Sequence, residues 1–137
     1  PKSVREGEFG PDIVAVKNSN DLLDVVIEQA KILLTNVGEG NVAIVCPDDM
    51  TDAIDGALTA AGVAHGRANT TALDSRLTVV PVSVVKGLEL DGVLVVEPAR
   101  IVASQVHGLR ALYVALTRST QRLTIVHREP LPPSMQS

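Results

Sequence analysis

The chain has 137 residues, the size of one ordinary domain, and hydrophobic residues make up 45% of it, which excludes disorder along its whole length. The formal net charge is −4, but residues 98–137 carry five arginines and a single acidic residue, Glu129. This asymmetry indicates either a surface for an anion such as phosphate or nucleic acid, or a basic helix face paired with acidic groups elsewhere in the fold.

The apolar residues are of an uncommon kind. There are 21 valines, 15 leucines, 14 alanines and seven isoleucines, against one Phe (Phe9), one Tyr (Tyr113) and no Trp. Valine-rich, aromatic-poor sequences suit buried strands of a parallel sheet that is covered by helices bearing Ala and Leu. Two aromatic residues cannot stack a run of bases, so the composition excludes a single-strand binder built on aromatic platforms.

Apolar runs of strand length alternate with stretches that repeat apolar residues every three or four positions. The predicted strands are 13–16, 41–46, 63–65, 77–85, 93–96 and 123–126. The predicted helices are one that starts near Ser19 and Asn20 and ends at Gly38, a second over 50–61 and a third over 106–116, with 98–104 irregular or helical. Residues 66–75 are predicted to be a loop. This alternation predicts a three-layer α/β domain with a mainly parallel sheet.

The predicted domain occupies residues 13–128. Residues 1–12 are polar with two glycines and form a lead-in segment, and residues 129–137 hold three prolines and are expected to be a disordered tail. The chain begins at Pro1 rather than Met, which suits a piece of a longer protein.

Several classes of protein are excluded. The single cysteine, Cys46, excludes a disulfide framework, and the three histidines have no metal-ligand spacing, so no metal site is predicted. No apolar run approaches the roughly 18 residues of a membrane span, and no signal peptide is visible, so we expect a cytoplasmic protein without a membrane partner. No G-x-x-x-x-G-K-[ST] loop is present, and the chain should therefore not bind and hydrolyse a nucleoside triphosphate by itself.

Two segments stand out. In residues 86–91 (KGLELD) a strand runs into a Lys-Gly turn followed by two acids, where glycine allows close approach to a ligand and Glu89 can accept a hydrogen bond from a sugar hydroxyl. Residues 113–118 (YVALTR) end an amphipathic helix with a guanidinium suited to phosphate oxygens. Taken singly, each has a purely structural interpretation, as a turn between strands and as a surface arginine at a helix end.

Together, in this order and about 30 residues apart, the two segments resemble motifs V and VI of superfamily 1 helicases of the UvrD/Rep type, which usually read KGLEFD and YVAxTR. The strong resemblance covers about 50 residues, 77–126. It implies a RecA-like domain, the second of two, that lacks its own Walker A loop. Such a domain closes over ATP and Mg²⁺ held mainly by an N-terminal RecA-like domain absent from this chain.

The resemblance also implies roles for individual residues. Glu89 would hydrogen-bond the ribose of ATP, Gly87 would let the loop lie against the nucleotide, and Arg118 would be the catalytic arginine finger on the γ-phosphate. Ser83 and Lys86 would lie on the segment that couples the nucleotide site to single-stranded DNA.

This sequence departs from the family pattern in three informative places. Ser83 stands where a His is common, which puts the nucleic-acid contact there in doubt, and Leu90 replaces the usual Phe. Residues 63–77 leave no room for a large helical insertion, as in the compact C-terminal domains of helicase-like ATPases that act on RNA polymerase.

Two alternatives to a helicase domain stay open. One is a non-catalytic interaction module that keeps the helicase fold and docks on a protein partner such as RNA polymerase. The other is an independent flavodoxin-like nucleotide binder, which would bind ATP or flavin as an isolated chain.

Overall fold

The computed structural model describes residues 11–68 and 75–135. Its strands are β1 (Asp12–Ala15), β2 (Val42–Cys46), β3 (Gly66–Arg67), β4 (Leu77–Pro81), β5 (Leu90–Val96) and β6 (Ser119–His127). Its α-helices are α1 (Leu22–Asn36), α2 (Thr51–Ala60), α3 (Pro98–Ser104) and α4 (Gly108–Leu116). Within the described residues, no helix has the length and apolar character needed to cross a membrane.

The described strands form one sheet in the order β1-β6-β5-β2-β4-β3, and every neighbouring pair is parallel. Helices α1 and α2 cover one face, while residues 82–89, α3 and α4 cover the other. The connections on the face of α1 and α2 lead the chain from the β1 edge of the sheet towards the β3 edge. The connections on the face of α3 and α4 lead it back towards β1, as right-handed crossovers require. The predicted three-layer α/β fold with a parallel sheet is confirmed.

Strand β2 shows why the sequence forms two cores. It is buried along its whole length, and its side chains alternate between the faces: Ile44 and Cys46 pack towards α1 and α2, whereas Ala43 and Val45 pack towards α3 and α4. A strand buried on both faces reads as a continuous apolar run, which is the pattern of residues 42–46.

Three predicted strands differ from the structure. The strand over 77–85 ends at Pro81, because residues 82–84 form a 3₁₀ turn. Strand β5 begins at Leu90 rather than at residue 93, and β6 begins at Ser119 rather than at residue 123. The early residues of β6 are polar and exposed, so apolar patterning misses them, although Ser119 and Arg122 pair with β5.

The chain before β4 was also predicted imperfectly. No strand forms over 63–65, and the two-residue strand β3 lies at Gly66–Arg67 instead, inside the predicted loop. Ion pairs from Arg67 to Asp52 and Asp55 fasten it to α2. The remainder of the predicted loop, residues 69–74, lies outside the described residues.

The ends of the predicted domain are only partly described. Strand β1 begins at Asp12, and residues 1–10 of the predicted lead-in lie outside the described residues. In the segment predicted to be a disordered tail, Pro132 is buried, Pro133–Met135 forms a 3₁₀ turn, and Met135 packs against the core beside α4. The limits 13–128 stay a prediction.

Candidate functional site

Residues 82–89 connect opposite edges of the sheet. Strands β2 and β4 end together, with Cys46 opposite Pro81, and residues 82–89 leave from that carboxyl edge. They cross the face that carries α4 and reach the amino edge, where β5 begins at Leu90. Val82 and Val85 are buried and hold the segment against the sheet. The connection therefore places its exposed residues at two separate edges of the domain.

Gly87 makes the tight turn in this connection possible. The N–H of Leu88 donates to the carbonyl of Val85 at 3.2 Å, which closes a four-residue turn with Lys86 and Gly87 at its centre. Gly87 has φ +90°, a value that a type II turn requires at this position and that other residues rarely adopt. A Cβ built on Gly87 would meet nothing within 4 Å, so the surface beside the turn is open.

Arg118 is held at the end of α4 by its own helix. Its Nε donates to the carbonyl of Val114 at 3.0 Å, and its Nη2 donates to the Thr117 hydroxyl at 3.0 Å. That hydroxyl in turn donates to the same Val114 carbonyl at 3.1 Å. No carboxylate of the described residues pairs with Arg118. The half-buried guanidinium is therefore oriented, but its charge is not neutralised by a neighbour.

Arg118 and Glu89 meet the sheet at the same edge. They directly precede β6 and β5, and the N–H of Leu90 donates to the carbonyl of Arg118 at 3.0 Å. Glu89 is exposed and forms no hydrogen bond or ion pair within the described residues. The structure thus brings the backbones at Glu89 and Arg118 together at the amino edge, and the predicted Gly87 lies two residues before Glu89 in the turn that leads into β5.

Ser83 and Lys86 line a groove between residues 82–86 and α4. The groove has a volume of about 280 Å³. Its floor and walls are formed by Val82, Ser83, Val85, Lys86, Gln105, Val106, His107, Arg110, Ala111 and Val114. We call it the α4 groove. The backbone N–H of Ser83 is engaged by the Asp48 carboxylate at 3.1 Å, so a negative charge sits beside Ser83, whereas Lys86 is exposed without such a neighbour.

Sequence reasoning missed two residues of the α4 groove, His107 and Arg110. Arg110 lies on α4 between Val106 and Val114, which are four residues away on either side and also line the groove. That spacing, within a stretch that has no acidic residue from Pro98 to Arg128, is the signal that could have identified Arg110.

Other charged residues of the two segments and the basic end have structural partners. The Asp91 carboxylate accepts from the N–H of Asn41 at 2.9 Å and from the Gln121 amide at 3.1 Å. Arg100 pairs with Asp49 at 2.9 Å, which matches the structural alternative for part of the basic end.

No described cluster of three or more His, Cys, Asp or Glu side chains could hold a metal ion. Glu97, the acid at the end of an apolar strand, is buried, and its Oε1 accepts from the N–H groups of Arg128 at 2.9 Å and Glu129 at 3.2 Å. Cys46 is also buried, and burial raises the pKa of its thiol to about 11, so it is not a reactive nucleophile.

Comparison with solved structures places the fold among helicase domains. No protein-family model matches the chain, and no curated protein matches it. Among solved structures, the C-terminal domain of a possible DNA helicase from Lactobacillus plantarum is 25% identical, with a TM-score of 0.74 over 90% of this chain and 76% of that one.

Two larger proteins share the fold at lower identity. The SWI2/SNF2 ATPase core of Sulfolobus solfataricus, solved with double-stranded DNA, is 13% identical with a TM-score of 0.65, and the match covers 88% of this chain and 28% of that one. The arterivirus nonstructural protein 10 helicase, solved with DNA, is 20% identical with a TM-score of 0.53, and the match covers 92% of this chain and 32% of that one. The chain spans less than a third of either protein. The parallel sheet and these structural matches together show that the chain has the RecA-like fold of helicase C-terminal domains.

Proposed function

We propose that the chain is the C-terminal ATPase domain of a superfamily 1 DNA helicase of the UvrD/Rep type. In this proposal it contributes Arg118, Glu89 and Gly87 to ATP hydrolysis that drives translocation along single-stranded DNA. The observation that supports it best is the shared edge, where the hydrogen bond from Leu90 to Arg118 fixes the residues of both helicase-like segments beside one another.

The residues at this edge suit a nucleotide that is held mainly by another domain. The Glu89 carboxylate is exposed and can accept from a ribose hydroxyl, and the open surface beside Gly87 leaves space for a ligand. The Arg118 guanidinium keeps donors beyond the two that its helix engages. ATP and its Mg²⁺ would be held by the Walker A loop of an N-terminal RecA-like domain in the longer protein.

Arg118 would act only when that domain closes on this one. A guanidinium that reaches the γ-phosphate offsets the charge that spreads over the transferring phosphoryl group, an effect of roughly 10³- to 10⁵-fold in rate for NTPases. Because residues 82–89 link the two sheet edges, a shift of the turn at Gly87 on closure would be transmitted to Ser83 and Lys86. This link is the proposed coupling between ATP hydrolysis and DNA movement.

The test is Arg118→Ala in the longer protein that contains the N-terminal domain. We expect DNA-stimulated ATP turnover to fall at least about 10³-fold, while affinity for a fluorescent ATP analogue changes only a few-fold. Arg118→Lys should fail as well, because an ammonium lacks the fork geometry. Arg122→Ala is the matched control, since Arg122 is exposed and lies on β6, the strand that Arg118 directly precedes. Near-normal turnover of Arg118→Ala would overturn the assignment.

One observation favours the second candidate, a non-catalytic module that docks on a protein. Helix α4 and the turn before it expose three large apolar side chains: Val106 (96% exposed), Leu109 (58%) and Tyr113 (67%). They form an apolar stripe at helical spacing. If docking is the only role, Leu109→Ser should abolish partner binding, and Arg118→Ala should leave every activity of the longer protein intact.

A further inference from the structure

The α4 groove is lined by two cationic side chains that have no acidic partner among the described residues, Lys86 and Arg110, and by the imidazole of His107. Lys86 lies in the turn on one side of the groove. On the other side, His107 directly precedes α4 and Arg110 lies on α4. No aspartate or glutamate is among the described residues that line the groove, although the Asp48 carboxylate lies beside it and accepts from the N–H of Ser83. The side chains of Lys86, His107 and Arg110 form no ion pair within the described part of the chain. By contrast, Arg67 and Arg100 are each paired with an acid.

We infer that Arg110 and His107, together with Lys86, bind the phosphate backbone of single-stranded DNA in the α4 groove. The inference rests on the proposed function and adds two DNA-binding residues that lie outside the two helicase-like segments. Backbone phosphates carry one negative charge per nucleotide, which Lys86 and Arg110 can neutralise and to which the His107 imidazole can donate a hydrogen bond.

The floor of the groove indicates which part of the DNA is bound. Val82, Val85, Ala111 and Val114 supply an aliphatic surface, and no Phe, Tyr or Trp lines the groove within the described residues. Aliphatic side chains can pack on the carbon face of a sugar, but they offer no platform for base stacking. The groove should therefore hold sugar and phosphate without reading base sequence.

The two sides of the groove belong to two different elements of the proposed ATPase site. Lys86 lies on the connection between the sheet edges, whereas Arg110 lies on α4, whose last turn holds Arg118. A strand bound between them would contact both the turn beside Gly87 and the helix that orients Arg118. DNA bound in the α4 groove would thus contact the two elements that carry the proposed nucleotide residues, the connection 82–89 and α4.

The experiment measures the anisotropy of a labelled oligo-dT of about 20 nucleotides while the 137-residue protein is added, over a range of salt concentrations. For Arg110→Gln we expect the Kd in about 50 mM salt to rise about 5- to 10-fold, and the slope of log K against log salt to lose about 0.7. Lys86→Gln should behave in the same way, His107→Gln should weaken binding by a smaller factor, and Arg110→Lys should restore most of the affinity.

Arg122→Gln is the matched control, because it removes the same charge from a side of the sheet away from the groove. Arg122 alternates along β6 with Thr124 and Val126, and Val126 packs towards α1 and α2. We expect its Kd to stay within about twofold, since it contacts no phosphate in this arrangement. Equal weakening by Arg110→Gln and Arg122→Gln would show a general charge effect and overturn the inference.

Three further outcomes bear on this inference, and the first of them separates it from the proposed function. If Lys86→Gln weakens binding but Arg110→Gln and His107→Gln do not, the inference fails and the proposed function stands. If neither this chain nor the longer protein binds the oligonucleotide, both fail. Competition by a polyglutamate of equal charge as strongly as by unlabelled oligo-dT would mark the groove as a site for acidic peptides, and this too would overturn the inference.

Discussion

The N–H of Leu90 donates a hydrogen bond to the carbonyl of Arg118 at 3.0 Å, across 28 residues of sequence. This bond starts the parallel ladder between β5 and β6, in which Leu90 lies opposite Ser119. Glu89 and Arg118 are therefore positioned by the sheet itself, because each directly precedes a strand of the same ladder. Groups placed by rigid strands keep their separation better than groups on independent loops.

The neighbouring acids Glu89 and Asp91 should respond differently to truncation. Asp91 accepts from the backbone N–H of Asn41, and Asn41 Oδ1 accepts from the N–H of Asp91 at 3.2 Å, so the pair ties the start of β5 to the start of β2. Asp91→Ala leaves the Asn41 N–H without its acceptor, and we expect the free energy of unfolding to fall by about 1–3 kcal/mol in urea titrations.

Glu89→Ala serves as the comparison for Asp91→Ala, because Glu89 is exposed and has no described partner. Its free energy of unfolding should stay within about 0.5 kcal/mol of the unmodified protein. An equal loss in the two variants would contradict the structural role of Asp91. Asp91→Asn, which keeps one acceptor oxygen, should be intermediate.

These two acids show where sequence reasoning reached its limit. Glu89 and Asp91 helped to identify residues 86–91 as a candidate functional segment. The apolar periodicity of α1 and the continuous apolar run of β2 also predicted those two elements correctly. Which acid is exposed depends on Asn41, 50 residues earlier in the chain, and no local pattern contains that partner. The same holds for the α4 groove, because His107 and Arg110 meet Lys86 only through the crossover of residues 82–89.

Gly87 should be sensitive to substitution because of its backbone, not because of crowding. Its φ of +90° is strained for any residue with a Cβ, while the space around it is open. We expect Gly87→Ala to lower the free energy of unfolding by about 1–2 kcal/mol, and Gly87→Asn to cost less, since Asn visits positive φ more readily. Thermal unfolding of both variants would check this order. Equal stability of Gly87→Ala and the unmodified protein would show that the turn is not formed as described.

Gly108 presents the opposite case, a glycine that is needed for close packing. A Cβ built there would overlap the carbonyl oxygen of Val102, because α3 and the start of α4 pass close to each other. Since backbone cannot yield as a flexible side chain does, Gly108→Ala should cost about 1–3 kcal/mol through forced separation of the two helices. Gly56→Ala in α2, where a Cβ meets nothing within 4 Å, should be neutral or stabilising in the same urea titration. A neutral Gly108→Ala would contradict the close approach.

The Cys46 thiol makes stability depend on pH in the alkaline range. Burial raises the pKa of Cys46 from 9.0 to about 11, the Thr51 hydroxyl partly opposes this rise, and the charge of Asp48 adds to it. The folded protein therefore holds this proton more tightly than the unfolded chain does. The resulting stabilisation is fully present below pH 9.0 and is lost as the pH rises towards about 11.

In that interval the free energy of unfolding should fall by about 1.4 kcal/mol per pH unit on account of Cys46. Cys46→Ala isolates this contribution, because every other titrating group is shared by the two proteins. The difference in stability between the unmodified protein and Cys46→Ala, measured by urea unfolding at a series of pH values, should be constant below pH 9.0 and shrink above it. A difference that stays constant up to about pH 11 would mean that the thiolate forms in the folded state as readily as in the unfolded chain, which a thiol buried between β2 and α2 does not allow.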